Sequence, residues 1–156
     1  MRKFIKLSIL FSSLLLVLSL LFIELSEFII SQKADFKLNK NIKYIVIGHS
    51  HPECAFNDSL IDNFKNLAES GESYFYSYIK TKKVIEQNPS LEVIFIEFTN
   101  NQIKASMDKW IWNDNYLNYR YPRYSPFMDI PDKALLAMNN FDGFIAHSPL
   151  SAKQNL

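Results

Sequence analysis

The chain has 156 residues, of which 17 are basic and 16 are acidic, so its formal net charge at pH 7 is +1. A balance this close to neutral provides no basic surface for nucleic acid, and we expect no nucleic-acid partner. The single cysteine, Cys54, excludes a disulfide within the chain and lies too far from the N-terminal apolar segment to carry a lipid anchor. We predict that Cys54 is a small buried apolar residue.

The first thirty residues have the pattern of a membrane segment. Three basic residues lie within the first six positions, and the stretch from Leu7 to Ile23 contains only apolar residues and serine. That stretch is close to the roughly 20 residues that cross a bilayer, and apolar residues up to Ile30 extend it. A cleaved signal peptide has a similar pattern, but this stretch is long for one and no Ala-x-Ala site follows it. We therefore predict a basic tail at 1–6 and an uncleaved transmembrane signal anchor at 7–30.

The charge pattern also predicts the orientation of this anchor. Basic residues that flank a membrane span stay in the cytoplasm, which makes the tail cytoplasmic. We predict a single-pass protein of the cytoplasmic membrane whose C-terminal domain lies outside the cytoplasm. Residues 31–41 are polar and rich in lysine, and we predict that they form a stalk below a domain at 42–156.

Apolar runs and breaks divide this domain into strands and helices. Ile42 to Ile47 predicts a first strand, and Asn57 or Asp58 is suited to cap a short helix that carries Leu60, Ile61 and Phe64. A second strand is expected to begin near Asn66. A helix is expected from Ser73 to Gln87, because Asn88-Pro89-Ser90 stops it.

The run from Leu91 to Phe98 is the strongest strand signal in the chain. Continuous apolar strands suit a parallel sheet that helices cover on both faces. The order of elements therefore predicts an α/β fold, a three-layer parallel sheet with right-handed crossovers. Because no later strand pattern follows, we expect the sheet to be incomplete, as in the front part of a longer chain. One edge of Leu91 to Phe98 is then unpaired.

An aromatic-rich segment at 104–130 follows the last strand. It contains two tryptophans and several tyrosines in a context rich in asparagine and proline. Two interpretations stay open: an exposed surface on which sugars stack, or an insertion whose aromatic side chains pack on their own domain. Residues Pro131 to Asn140 predict one more short helix.

The tetrapeptide Gly48-His49-Ser50-His51 is the strongest candidate for a chemical site. It follows the first strand, and in open α/β sheets ligands bind beyond the carboxyl ends of the strands. A serine on such a turn is a recurring way to expose a nucleophile. Ser50 needs a base that takes its proton and donors that stabilise the oxyanion of the intermediate.

Three segments in this order resemble the SGNH hydrolase superfamily, the GDSL-type esterases and acyltransferases. Gly48-His49-Ser50 corresponds to the family's Gly-Asp-Ser motif after the first strand. The segment from Asn66 to Gly71 corresponds to the family's second-strand segment, which ends in a glycine. Phe98-Thr99-Asn100-Asn101 closes the third strand, where the family has an asparagine. The resemblance covers roughly 42–102. It implies a flavodoxin-like sheet, Ser50 as the nucleophile, and an oxyanion hole formed by the N–H groups of Ser50 and Gly71 and the side chain of Asn100. Asn101 is the alternative to Asn100.

The membrane-anchored members that this chain resembles act on cell-surface polysaccharide. The resemblance implies an acylated or acceptor glycan as substrate and a membrane-bound acyltransferase as partner. The family's Asp-x-x-His is missing near the end of the chain. The late candidates are Asp142 as acid and His147 as base, with four residues between them, and His51 is a local alternative base.

Metal binding and cofactor binding have weaker support in the sequence. His49-x-His51-x-Glu53 offers side chains that zinc accepts, but three ligands in one loop without a distant partner are a weak signal. We expect no metal and no cofactor. Glu97, at the end of the last strand, is interpreted as a buried polar residue with satisfied hydrogen bonds.

Two functional hypotheses follow. The first is a membrane-anchored serine esterase or O-acyltransferase acting on cell-surface polysaccharide, either active or inactivated by loss of the acid and base. The second is a non-catalytic anchored module that binds a glycan or a partner through its aromatic segment.

Overall fold

The computed structural model describes residues 1–100 and 102–149. Helices form most of this part of the chain, and three short strands form one sheet. The helices are α1 (Arg2–Lys33), α2 (Ser50–Ala55), α3 (Tyr74–Gln87), α4 (Lys109–Trp112), α5 (Asp114–Tyr124), α6 (Ile130–Asn139) and α7 (Phe141–His147). The strands are β1 (Tyr44–Ile47), β2 (Phe64–Asn66) and β3 (Val93–Ile96), and 3-10 turns lie at Asp58–Leu60, Ala105–Met107 and Ser125–Phe127.

The three strands are parallel and lie in the order β2-β1-β3. Val46 in the central strand pairs with Asn66 on one side and with Phe95 on the other. The predicted parallel arrangement is therefore present, with β1 and β3 inside the predicted apolar runs. The second strand begins earlier than predicted, at Phe64, because Asn57 caps only a 3-10 turn and no helix reaches that residue.

Helix α3 packs against one face of this small sheet. Ile45 and Ile47 face α3 and pack with Val84 in one buried cluster. On the opposite face, the ring of Phe56, just after α2, packs against the ring of Phe64. Within the described chain, β3 pairs only with β1, so the edge predicted to be unpaired is open. The large side chains along that edge are exposed: Phe95, Ile96 and Phe98.

A second buried core joins α3 to the helices that follow the sheet. Tyr76 of α3, Leu117 and Tyr121 of α5 and Leu136 of α6 belong to this cluster. Most of the aromatic-rich segment is therefore packed on its own domain, with Trp112 also against this core. The segment forms helices α4 and α5. The helix predicted at Pro131 to Asn140 is present as α6, and α7 was not predicted.

Helix α1 is long and apolar enough to cross a membrane. The hydroxyls of Ser13, Ser19 and Ser26 bond to carbonyls of the preceding helical turn, which satisfies these polar groups in an apolar environment. Near the end of α1, the buried carboxylate of Glu27 accepts a hydrogen bond from Lys133 of α6 at 2.5 Å. The helix is thus attached to the domain and does not merely precede it.

The segment predicted as a stalk lies along the domain. The backbone N–H of Phe36 donates to Gln87 at 2.7 Å, and that of Leu38 donates to the side chain of Asn88 at 2.7 Å. The ring of Phe36 packs edge-on against Phe127. Cys54 is exposed on α2, and the prediction of a buried residue is wrong because α2 is a single short helix on the outside of the sheet.

Candidate functional site

The site lies at the edge of the sheet where β1 and β3 end. Because parallel strands end at the same edge, Glu97, directly after β3, lies beside Gly48, directly after β1. The backbone N–H of Glu97 donates to Ile47 at 3.0 Å, which continues the strand pairing to this point. Its carboxylate is turned toward α2 and only 10% of the side chain is exposed. A largely buried carboxylate thus faces the loop that carries Ser50.

Gly48 makes this close approach of Glu97 possible. A Cβ atom at position 48 would lie 2.6 Å from both the Cβ and the Oε2 atoms of Glu97 and 2.7 Å from the Cγ atom of Pro52. No side chain fits at such distances. The glycine is therefore required by space rather than by its backbone conformation.

His49 connects the serine to this carboxylate. Its Nδ1 atom lies 3.3 Å from Ser50 Oγ, and its Nε2 atom lies 3.0 Å from Glu97 Oε1. Glu97 Oε2 also accepts the backbone N–H of His49 at 2.9 Å, which fixes the residue from a second direction. When Nε2 carries the proton and donates it to Glu97, Nδ1 is left as an acceptor for the Ser50 hydroxyl. This is the hydrogen-bond order of a serine–histidine–carboxylate triad.

The side chain of Tyr74 holds the end of β3 in place through two hydrogen bonds. The hydroxyl of Tyr74 donates to the carbonyl of Glu97 at 2.8 Å and accepts the backbone N–H of Thr99 at 3.2 Å. Tyr74 begins α3, so the same helix that covers the sheet also fixes the backbone that carries the carboxylate.

His51 adds a third ionisable side chain to the cluster. Its Nδ1 atom lies 3.2 Å from Glu97 Oε1, and 75% of the side chain is exposed. The ligating atoms of His49, His51 and Glu97 all lie within 4.8 Å of one another. Glu53, the carboxylate that the sequence pairs with these histidines, instead accepts the backbone N–H of Ser70 at 2.7 Å. Among the described residues, the group able to hold a metal therefore consists of the two histidines and Glu97.

Ser50 opens onto a cleft of about 410 Å³. The cleft also contains polar side chains and one tryptophan, which stacks on Tyr116 with ring centroids 5.5 Å apart. Thr99 contributes a buried hydroxyl to which no described residue hydrogen bonds. The lining residues are His49, Ser50, His51, Thr99, Gln102, Lys104, Ser106, Met107 and Trp110.

Of the predicted oxyanion residues, Ser50 lines this cleft, whereas the structure places Gly71 and Asn100 outside the lining. Gly71 has a backbone φ of +72° and lies nearest to Arg120 and Tyr116. Asn100 is exposed in the turn after β3, and Asn101 lies outside the described residues. Thr99 is the residue of this segment that lines the cleft. The described part of the chain therefore brings together Ser50 and Thr99, but not Gly71 or Asn100.

The predicted acid and base lie on another part of the molecule. Asp142 and His147 are both on α7, which packs against α5 and α6. Neither residue lines the cleft at Ser50. The groups that do meet Ser50 in the structure are His49 and, through it, Glu97. Sequence reasoning assigned neither role, although the position of Glu97 at the end of the strongest strand was the available signal.

A second charged cluster borders the end of β2. Burial raises the pKa of Glu69, but the guanidinium groups of Arg120 and Arg123 outweigh that effect and hold this pKa below its ordinary value. Both guanidinium groups donate to Glu69 Oε1, at 2.5 and 2.6 Å. The backbone N–H of Glu69 donates to Gly48 at 3.0 Å, so the cluster ties α5 to the loop of the site.

No protein-family model matches this chain, and neither does a curated protein or a solved structure.

Proposed function

We propose that this protein is a membrane-anchored serine esterase or O-acyltransferase with an SGNH-like three-layer domain. One observation carries the proposal: Ser50 Oγ, His49 and Glu97 form a continuous line of hydrogen bonds, with distances of 3.3 and 3.0 Å. This line supplies the acid and base that the missing Asp-x-x-His leaves unassigned. In this reaction His49 is the base, the role that the sequence predicts for His147. Glu97 takes the role of the acid, which the sequence predicts for Asp142.

The reaction follows from the roles of these three side chains. His49 Nδ1 takes the Ser50 proton while Oγ forms a bond to the acyl carbonyl carbon, and Glu97 stabilises the resulting imidazolium. The carbonyl oxygen becomes an oxyanion, to which the Thr99 hydroxyl and the Ser50 N–H donate. The carbon–oxygen bond to the leaving alcohol then breaks, and that alcohol takes the proton from His49. Water or a second hydroxyl attacks the acyl-serine by the same steps.

The cleft supports a carbohydrate as the alcohol component. Trp110 offers an aromatic face, and stacking on such a face is a common way to hold a sugar ring. Gln102, Lys104 and Ser106 provide donors and acceptors for hydroxyl groups around it. We place the domain outside the cytoplasm on the anchor α1, where its substrate is a cell-surface polysaccharide.

A serine-directed phosphonate tests the proposal directly. The full-length protein in detergent is expected to bind the probe covalently at Ser50, and Ser50→Ala abolishes this labelling. Ser106→Ala is the matched control, because it removes another hydroxyl from the same cleft and leaves the line of hydrogen bonds intact. An unlabelled wild-type protein, or labelling that persists in Ser50→Ala, contradicts the proposal.

The second candidate function is a glycan-binding module without catalysis, and the stack of Trp110 on Tyr116 at the cleft favours it. Trp112 is less suited to this role because it packs against the buried core. Glycan binding that survives Ser50→Ala but is lost in Trp110→Ala supports this alternative. Binding that needs Ser50 and tolerates Trp110→Ala contradicts it.

A further inference from the structure

We propose that His49, His51 and Glu97 bind Zn²⁺ and that the bound ion switches Ser50 off. The binding site stands on its own geometry, and the switching rests on the function proposed above. Two imidazole nitrogens and one carboxylate oxygen are the ligand types of a three-residue zinc site with one open position. Magnesium and calcium prefer all-oxygen sites, so this donor set favours zinc.

The distances are close to those that a zinc ion requires. In a tetrahedral site with bonds of about 2.0–2.2 Å, ligand atoms lie about 3.4 Å apart. Glu97 Oε1 is 3.0 Å from His49 Nε2 and 3.2 Å from His51 Nδ1. The remaining pair, the two nitrogens, is at most 4.8 Å apart. Since His51 is largely exposed, rotation of its side chain can close this gap without disturbing the core.

The sheet also brings in Glu97 as the distant ligand that the local motif His49-x-His51-x-Glu53 lacks. His49 caps α2 and His51 lies in its first turn, just after β1, whereas Glu97 comes from the end of β3, nearly fifty positions later in the chain. A site assembled from two strand ends is fixed by the sheet and not by one short segment alone. Glu53, also in α2, accepts hydrogen bonds from Ser70.

Zinc binding and serine activation need opposite forms of His49. Activation requires the proton on Nε2, so that Nδ1 accepts the Ser50 hydroxyl. A metal ion on Nε2 requires the neutral ring to carry its proton on Nδ1, which then donates to Ser50 Oγ. In that form His49 cannot take the serine proton, and Glu97 is a metal ligand in place of a partner to the imidazolium. The two states therefore exclude each other.

Calorimetric titration with zinc chloride tests the site in full-length, chelator-treated protein in detergent. One ion is expected to bind, and His51→Ala is expected to weaken binding about tenfold or more, in the range seen when metal-site residues are altered. Glu53→Gln, the matched control, is expected to bind as the wild type does. Absence of binding, or binding that His51→Ala leaves unchanged, overturns the site.

The switch is tested by the ratio of phosphonate labelling rates with and without zinc. This ratio is expected to fall at least tenfold in the wild type and to stay near one in His51→Ala. If calorimetry shows zinc binding but the wild-type ratio of labelling rates is near one, the switch is overturned while the zinc site still stands. The switch is also overturned if zinc stimulates hydrolysis and Ser50→Ala does not abolish that hydrolysis, because the metal-bound water is then the nucleophile. Failure of all labelling without zinc counts against the serine reaction and leaves the calorimetric result intact.

An independent observation concerns the outer surface of α6 and α7. Ile130, Ala134 and Met138 recur at intervals of four residues on α6, and Phe141 and Ile145 do so on α7. All five side chains are exposed, Met138 to 85%. Residues four apart share a helix face, so α6 and α7 each present a continuous apolar stripe. Within the described chain, nothing covers these stripes.

The position of α1 indicates what covers them. Pro149, just after α7, borders a groove together with Leu18 and Phe22 of α1. Leu18 is nine residues before Glu27, which corresponds to about 13 Å along a helix. The end of α7 therefore lies beside turns of α1 that belong to its apolar, membrane-spanning part. With α1 in a bilayer, we infer that the stripes on α6 and α7 contact the acyl chains of the adjacent leaflet.

Spin labels in liposomes distinguish lipid from the other ways to cover this surface. In a Cys54→Ser background, a nitroxide at Met138→Cys is expected to be more accessible to oxygen than to a water-soluble nickel complex. A label at Leu60→Cys, on an exposed 3-10 turn of the sheet side, is expected to show the reverse. A water-accessible label at position 138 overturns the inference. Low accessibility to both probes also overturns it, because a protein partner or a second copy then covers the stripe.

Discussion

At the scale of single residues, the reaction proposed for Ser50 depends on which histidine is the base. His49 touches Ser50, whereas His147 lies on α7. We expect His49→Ala to lower the rate of phosphonate labelling by a factor of about 10²–10⁴, the usual contribution of a positioned base. His147→Ala is expected to change it less than twofold. The melting temperature of each variant controls for misfolding, and a large loss confined to His147→Ala contradicts this assignment.

The sequence predicts Ser50 as a candidate nucleophile but does not predict the side chains that meet it, for reasons visible at the same residues. The motif around Ser50 predicts a turn after a strand, and that turn is present. Neighbouring side chains diverge on an extended chain, yet His49 is the N-cap of α2 and Ser50 begins this helix, so the backbone bends and the two side chains meet. Glu97 enters the site through strand register, which no local pattern reveals.

At the scale of elements, the strands were more predictable than the short helices. Apolar runs marked β1 and β3, and the stop at Asn88-Pro89-Ser90 marked the end of α3. By contrast, α2 has only six residues and includes Pro52, so it shows no helical periodicity. The start of α7 depends on Asn140, whose side chain accepts the N–H of Gly143, a contact that exists only in the folded chain.

Burial along the sheet leads to a contrast between two isoleucines. Ile47 in the central strand is 1% exposed, whereas Ile96 at the open edge is 63% exposed. Ile47→Ala is expected to lower the free energy of unfolding by about 2–5 kcal/mol. Ile96→Ala is expected to change it by about 0.5 kcal/mol or less. Thermal unfolding in detergent measures both, and equal losses would show that another segment covers the edge of β3.

The cluster that joins α5 to the sheet gives stability a pH dependence. Since the pKa of Glu69 is lowered in the folded protein, its ionised form stabilises the fold above the ordinary value near 4.5. This contribution is lost as the pH falls through the folded pKa. Glu69→Gln is therefore expected to lower the Tm at pH 7 and to lower it by less at pH 3. Glu86→Gln, which removes an exposed carboxylate on α3, serves as the control. A Tm difference that is the same at both pH values contradicts the prediction.

At the scale of the whole molecule, helix α1 and the domain are connected by side-chain contacts. Lys133 of α6 binds Glu27 of α1, and the segment after α1 hydrogen bonds to the end of α3 through Gln87 and Asn88. Polarity alone suggested a free stalk at 31–41, because these partners lie some fifty or a hundred positions away in the chain. The docked segment thus attaches α1 to the end of the helix that covers the sheet.

The proposed orientation of the protein, with α1 across a membrane and the domain outside the cytoplasm, is open to a direct test. Cys54 is the single cysteine of the chain and is exposed on α2, so it reports the location of the domain without further engineering. With the domain outside the cytoplasm, a membrane-impermeant maleimide is expected to label Cys54 in intact cells. A Cys54→Ser variant that also carries Lys3→Cys in the basic tail is expected to react only after the cells are permeabilised. Labelling of the tail but not of Cys54 in intact cells would reverse the topology and place the cleft in the cytoplasm, away from any surface polysaccharide.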